Sequence, residues 1–241
     1  MLSKQYYPAP HIRYCWLEDR VIILDLRSES YFALDPTASV MWQQLTGPQR
    51  RDERRQSLPH CGAAGSTASA DLEDDLASFA RRCLTEGFLT ETPAPPSPGI
   101  EAATGRLPGR RWLILRAWWN LWRVTRALAK NGFAHTYYRA LHLPKLQATP
   151  PPGPTDSLAT ALTAFGRAEN FLYLKKAPRD CLPRSLALFF FLRAIGWPVE
   201  HCIGLQQFPF LAHAWTEYRG AVLHDDPRNQ ERFTVIARIP A

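Results

Sequence analysis

A chain of 241 residues with 46% apolar and 21% charged side chains folds around a real core, with room for one or two domains; disorder is excluded. There is no uncharged apolar run of about eighteen residues, so no membrane-spanning helix and no stable membrane insertion are expected. The net charge of +7 sits mainly in residues 101–150, which hold nine basic side chains and one acidic, and this weakens a whole-protein nucleic-acid function.

The first residues, Met1 to Pro8, lack the apolar core of a signal peptide, and a cytoplasmic location is expected. Three β-like runs follow: Ile12 to Leu17, Val21 to Leu26 and Ser30 to Leu34. Polar turns at Glu18-Asp19-Arg20 and Arg27-Ser28-Glu29 separate them. The middle run, apolar at successive positions, reads as a strand buried on both faces. Asp35-Pro36 opens a helix as cap and first residue, with Ala38, Met41, Trp42 and Leu45 on one face and Gly47-Pro48 as its stop.

Residues 48–70 read as a loop or a short helix. A further helix runs from about Asp71 to Glu86, with Leu72, Leu76, Phe79 and Cys83 as its apolar face and Gly87 as its end. Together these parts predict a winged-helix-like domain of three strands and three helices. DNA is a poor partner for it, because the last helix begins with Asp71, Glu73, Asp74 and Asp75, which repel phosphate.

The segment Tyr31-Phe32-Ala33-Leu34-Asp35-Pro36-Thr37-Ala38-Ser39-Val40-Met41-Trp42-Gln43-Gln44-Leu45 resembles the strand-to-helix signature of the RiPP recognition elements, which bind precursor leader peptides. The resemblance implies that a leader adds as a strand along Ser30, Tyr31, Phe32, Ala33 and Leu34, and rests against Phe79, Arg82 and Cys83. Backbone hydrogen bonds then provide affinity and alternate side chains specificity. Read as plain residues, Tyr31, Phe32 and Trp42 are core, and for Phe32 and Trp42 that reading is preferred.

Pro93, Pro95, Pro96 and Pro98 mark a semi-extended linker. The expected division is 1–92 for the first domain, 93–109 for the linker and 110–241 for the second domain. Arg110 to Lys130 has a strong helical pattern, carrying three closely spaced tryptophans and a stripe of Arg116, Arg123 and Arg126; a second short helix covers Ala134 to Leu143. The plain expectation is packing by the Trp/Leu face with solvated arginines. The helix is also a candidate docking surface for a partner protein or a leader, and a basic helix with tryptophans could instead contact a membrane surface or nucleic acid.

Ser157 to Leu174 reads as an amphipathic helix with Leu158, Leu162, Phe165, Ala168 and Phe171/Leu172 on one face. A buried helix then starts within a residue or two of Cys181 and runs to Ile195, packed on antiparallel strands Val199 to Gln206, Ala212 to Tyr218, Ala221 to His224 and Phe233 to Ile236. The predicted class is therefore α+β, with a papain/transglutaminase-like second domain whose central helix packs on an antiparallel sheet.

The five cysteines, 15, 61, 83, 181 and 202, have neither C-x-x-C spacing nor an even number, so neither a disulfide framework nor a zinc site is expected, and no cofactor is required. Cys181 differs from the others by its place at a helix start, where free N–H groups favour the thiolate. His213 on one strand and an aspartate closing the next complete the parts of nucleophilic catalysis. A two-residue turn at Arg219-Gly220 sets His213 opposite Asp226, whereas a three-residue turn sets it opposite Asp225; pattern alone leaves both open.

Cys181-Leu182-Pro183-Arg184-Ser185-Leu186-Ala187-Leu188, Leu192-Arg193, Ile195-Gly196, Ile203-Gly204-Leu205, Pro209-Phe210, Ala212-His213-Ala214-Trp215-Thr216-Glu217 and Leu223-His224-Asp225 resemble the transglutaminase-like leader peptidases of lasso-peptide biosynthesis. The resemblance implies the triad Cys181, His213 and Asp225. The residue before the aspartate is usually asparagine in that family and is His224 here. A leader-binding domain joined to a leader-cutting one implies a fused B-type protein. Its partners would be a ribosomal precursor peptide and a separate asparagine-synthetase-like cyclase that uses ATP. The competing readings are a transglutaminase-like acyltransferase and a non-catalytic winged-helix regulator.

Overall fold

The computed structural model describes residues 5–47, 67–93, 110–143, 156–173 and 180–240. The chain divides into two compact units, Met1–Pro96 and Ser97–Ala241.

In the first unit, β2 (Ile12–Leu17), β3 (Arg20–Asp25) and β4 (Ser30–Ala33) form an antiparallel sheet in the order β2-β3-β4. Val21, Ile22, Ile23 and Leu24 are all buried, as their unbroken apolar run predicts. Helix α1 (Pro36–Thr46) starts where the cap pattern places it: the Asp35 carboxylate accepts the Ala38 N–H at 2.8 Å. Its inner face buries Trp42 and Leu45, and Ser39 reaches across to accept the Val21 N–H at 2.9 Å, pinning α1 to the central strand.

Helix α2 (Thr67–Thr85) begins earlier than its apolar pattern suggests and ends at Gly87, whose φ of 78° reverses the chain. Phe88 then leads into β5 (Leu89–Thr90), which pairs with β1 (Tyr7–Pro8), a two-stranded ribbon too short for periodicity to reveal. Two helices of the expected three fall within the described residues, and the remaining segment, 48–66, lies outside them.

The second unit begins with α3 (Arg110–Leu141), broken at Gly132, where φ 77° and ψ 175° leave helical space. Leu113, Ala117, Leu121 and Val124 form its buried stripe against α4 (Asp156–Tyr173) and α5 (Cys181–Ala194). Leu113 and Leu121 pack as expected, but the rest of the expected orientation is corrected. Trp112, Leu115, Trp119 and Trp122 face outward, while Arg116 turns inward to donate to the Ala194 carbonyl at 2.9 Å and Arg123 lies half-buried over the Phe190 ring. Of the three arginines only Arg126 is solvated, and it lies over Trp122.

Every side chain from Ser185 to Arg193 on α5 is buried, which is why a run of three phenylalanines is tolerated there. The sheet beside it has the order β8-β7-β6-β9, formed by β6 (Glu200–Gln206), β7 (Leu211–Tyr218), β8 (Ala221–Leu223) and β9 (Thr234–Ile239). A single turn, α6 (Asn229–Arg232), precedes β9. Among the described residues, no helix is long and apolar enough to cross a membrane.

Candidate active site

Cys181 is the first residue of α5. Pro183 is tolerated in this first turn because the N–H it lacks would have had no helical acceptor. The free N–H groups and the positive end of the helix dipole therefore meet at the thiol. The flanking Asp180 makes no side-chain cap bond to compete there.

His213 comes from β7, which pairs with β6 so that His213 lies opposite Gly204. That glycine has a packing reason. A Cβ built on it would stand 2.7 Å from the Trp215 ring and 2.8 Å from Phe233 Cβ. The space it leaves lets Phe233 and Trp215 stack on the imidazole, with centroids 5.3 and 6.1 Å away. Trp215 is held in turn by its indole N–H, which donates to Glu217 at 2.6 Å; Gln230 and Arg238 also bind that carboxylate.

The third member depends on how a strand ends. Thr216 pairs with Leu223 and Tyr218 with Ala221, so the turn at Arg219-Gly220 is the two-residue form, with φ of 49° and 77°. Continued, that register would place Asp226 opposite His213. Pairing stops at Leu223, however, and His224 takes φ 57°, redirecting the chain so that Asp225 reaches the imidazole, with Nε2 to Oδ2 at 3.1 Å. Asp226 instead closes a turn, accepting the Arg228 N–H at 3.0 Å and pairing with its guanidinium at 2.9 Å.

The charges cooperate. Burial opposes ionisation of Cys181, but hydrogen bonds from His213 and from the Ala214 and Leu182 backbone outweigh it and hold the thiol below its ordinary value. The hydrogen bond to Asp225, followed by that to Cys181, raises the His213 imidazolium to about 9. Asp225 is lowered despite burial by His213, by the Asp226 N–H and by Arg184. A thiolate beside an imidazolium is the resting state this predicts. With Nε2 occupied by Asp225, Nδ1 is the ring nitrogen left to exchange a proton with sulfur.

The other described cysteines are inert by comparison: burial pushes Cys15 and Cys83 up to about 11 and Cys202 to about 12. Among the described residues no cluster of three His, Cys, Asp or Glu side chains could hold a metal ion. Just before His213 in the chain, the β6–β7 turn and the first residue of β7 expose Phe208, Phe210 and Leu211 at 78, 52 and 44%.

Sequence reading missed Glu169 and gave Arg184 no role. Glu169 is fully buried on α4, one residue after Ala168 and four after Phe165. A carboxylate on that apolar stripe was the available signal, since such a group is buried only with partners. Arg184 is one partner, with Nε 2.8 Å from Glu169 Oε1.

The proposed leader-binding residues lie in the first unit. β4 is an edge strand among the described residues, with Tyr31, Phe32 and Ala33 exposed and Ser30 and Leu34 half-buried. Trp42 is core as expected, but Phe32 is not: it is 39% exposed, its ring 5.2 Å from Phe88. On α2, Arg82 is exposed and Phe79 half-buried, but Cys83 is buried in the core with Trp42 and Ala80, which removes it from any docking surface.

Residues 121–238 match the model of the transglutaminase-like superfamily. Over 230 residues, 95% of this chain and all of the relative, the sequence is 24% identical to the microcin J25-processing protein McjB of Escherichia coli. No solved structure matches the chain.

Proposed function

We propose that the chain, similar along its length to a microcin-processing protein and matching the transglutaminase-like superfamily at residues 121–238, is a B-type lasso-peptide biosynthesis protein and the leader peptidase of that maturation, hydrolysing the leader–core bond with Cys181, His213 and Asp225. The observation that carries this reading is the thiol at the start of α5, hydrogen-bonded to an imidazole that Asp225 orients at 3.1 Å.

The chemistry follows from the charges. The Cys181 thiolate attacks the carbonyl carbon at the end of the leader, with N–H groups at the start of α5 as candidate donors to the anionic oxygen. The His213 imidazolium gives its proton to the departing amine, which becomes the first residue of the core peptide. A leader thioester remains on sulfur. His213, now neutral, takes a proton from water as the water attacks the thioester, and the leader carboxylate and the thiol part. Asp225 keeps the imidazole in one tautomer throughout.

The first unit, a winged-helix-like recognition domain in this reading, holds the leader by adding it to the β4 edge from Ser30 to Leu34, beside Phe79 and Arg82. Tethering raises the local concentration of the scissile bond, so the site itself need read little sequence. The freed core amine is the substrate of a separate ATP-using cyclase.

Mass spectrometry of a leader–core peptide incubated with the protein tests this. Separate leader and core masses, absent with Cys181→Ala, are expected. Cleavage by Cys181→Ala at the parental rate would overturn the reading, and an amine-coupled leader would replace hydrolysis with acyl transfer.

A further inference from the structure

Asp225 is delivered by a backbone turn and not by a strand, so something must hold that turn. Its central residue, His224, has a left-handed φ of 57°, a conformation costly for a side chain with a Cβ. Three contacts fix it. The imidazole meets the Phe165 ring edge-on at 5.6 Å. It lies over Gly166, where a Cβ would stand 3.1 Å from Cε1. Its Nε2 is 3.0 Å from Glu169 Oε2.

The other Glu169 oxygen, Oε1, meets Arg184 Nε at 2.8 Å. Arg184 then extends two arms: Nη2 donates to the His224 carbonyl at 2.5 Å, and Nη1 stands 3.9 Å from Asp225 Oδ2. The Glu169 carboxylate is 1% exposed, so its charge is tolerated only while both partners stay in place. Glu169 thus grips the turn twice, through the His224 ring and through the guanidinium that binds the His224 backbone.

We propose that Glu169 is a positioning residue for the triad, locking the His224 turn through His224 and Arg184 so that Asp225 meets His213 although the strand register favours Asp226. This rests on Cys181, His213 and Asp225 being the reacting groups. It also accounts for the histidine before the aspartate: its ring is the length needed to reach α4. Arg184, three residues after Cys181 on the same helix, ties the aspartate turn to the element that carries the nucleophile. Glu169 touches neither substrate nor sulfur.

The test uses the full chain with two readouts: peptide cleavage kinetics, and the pH dependence of Cys181 alkylation by iodoacetamide, followed on the Cys181 peptide by mass spectrometry. Glu169→Gln is expected to lower kcat at least tenfold with KM within twofold, and to move the alkylation midpoint toward that of an ordinary thiol. Arg184→Lys keeps the charge but cannot reach Glu169 and the His224 carbonyl together, so it should give the same pattern. The double variant should be no worse than either single one, because the residues act as one unit. Parental kcat and alkylation midpoint in folded Glu169→Gln would overturn the proposal. If that variant does not fold, the same parental values in Arg184→Lys overturn it. Alkylation needs no substrate, so a Cys181→Ala protein that still cleaves would sink the peptidase reading while the alkylation shift reports on Glu169 separately.

Discussion

His213 Nε2 bonds Asp225 Oδ2 at 3.1 Å, although the β7–β8 register, carried three residues further, would set His213 against Asp226. The carboxylate is selected by where pairing stops. Had pairing run on to residue 226, the aspartate facing His213 would be a different one.

That choice separates the two neighbours experimentally. Asp225→Asn should lower kcat by roughly a hundredfold or more, because the imidazole loses its counter-charge and the amide N–H group can hold it in the wrong tautomer. Asp226→Asn removes only the turn contacts to Arg228 and should leave kcat within about threefold, a ratio set by less than ~1 kcal/mol. Steady-state cleavage of one peptide by both variants checks the pair.

The dependence on pH follows from the order in which the two groups titrate. The active form needs the thiolate and the imidazolium. Activity should rise as pH passes the lowered value of Cys181 and fall as His213 loses its proton near about 9. The hydrogen bond to the Asp225 carboxylate is the largest cause of the raised imidazolium, so Asp225→Asn, which weakens that bond and removes its charge, should bring the alkaline limb to lower pH. A profile of kcat/KM against pH for both proteins is the measurement.

Gly204 should tolerate no side chain. The alanine methyl would lie 2.7 Å from the Trp215 ring and 2.8 Å from Phe233 Cβ, and both rings stack on His213. Gly204→Ala is expected to cost about 1–3 kcal/mol of stability by overpacking. It should lower kcat as well, because the displaced rings no longer hold the imidazole. Thermal unfolding and cleavage kinetics together check it.

In the first unit, Phe32 and Trp42 should behave oppositely. Trp42→Ala empties a fully buried site and should cost about 3–5 kcal/mol. Phe32→Ala acts on an exposed edge-strand side chain, so it should change stability by less than about 1 kcal/mol while weakening leader-peptide binding about tenfold. Denaturant unfolding and titration of a labelled leader peptide distinguish the two.

Much of this architecture is written in local chemistry. The apolar run of β3, the Asp35-Pro36 cap, the Gly47 and Gly87 stops and the Cys181 helix entry all depend on neighbours within a few residues, and the sheet strands of the second unit follow from short apolar runs between turn residues. The short partners β1 and β5 were not legible, because two residues carry no period. Nor was the facing of α3. Its tryptophans and leucines suggested a packed face, but the stripe that packs is Leu113, Ala117, Leu121 and Val124, with small residues letting the helices approach.

Cys181 and His213 are identifiable from residue type, helix entry and strand position, since those properties are local. Asp225 over Asp226 is not. Both carboxylates follow the same strand, and the difference between them is a positive φ at His224, supported by a buried glutamate 55 residues earlier in the chain. No periodicity links positions so far apart. Only folding brings α4 against that turn, and with it the charge that makes one aspartate the partner of His213 and leaves the other to close a surface turn.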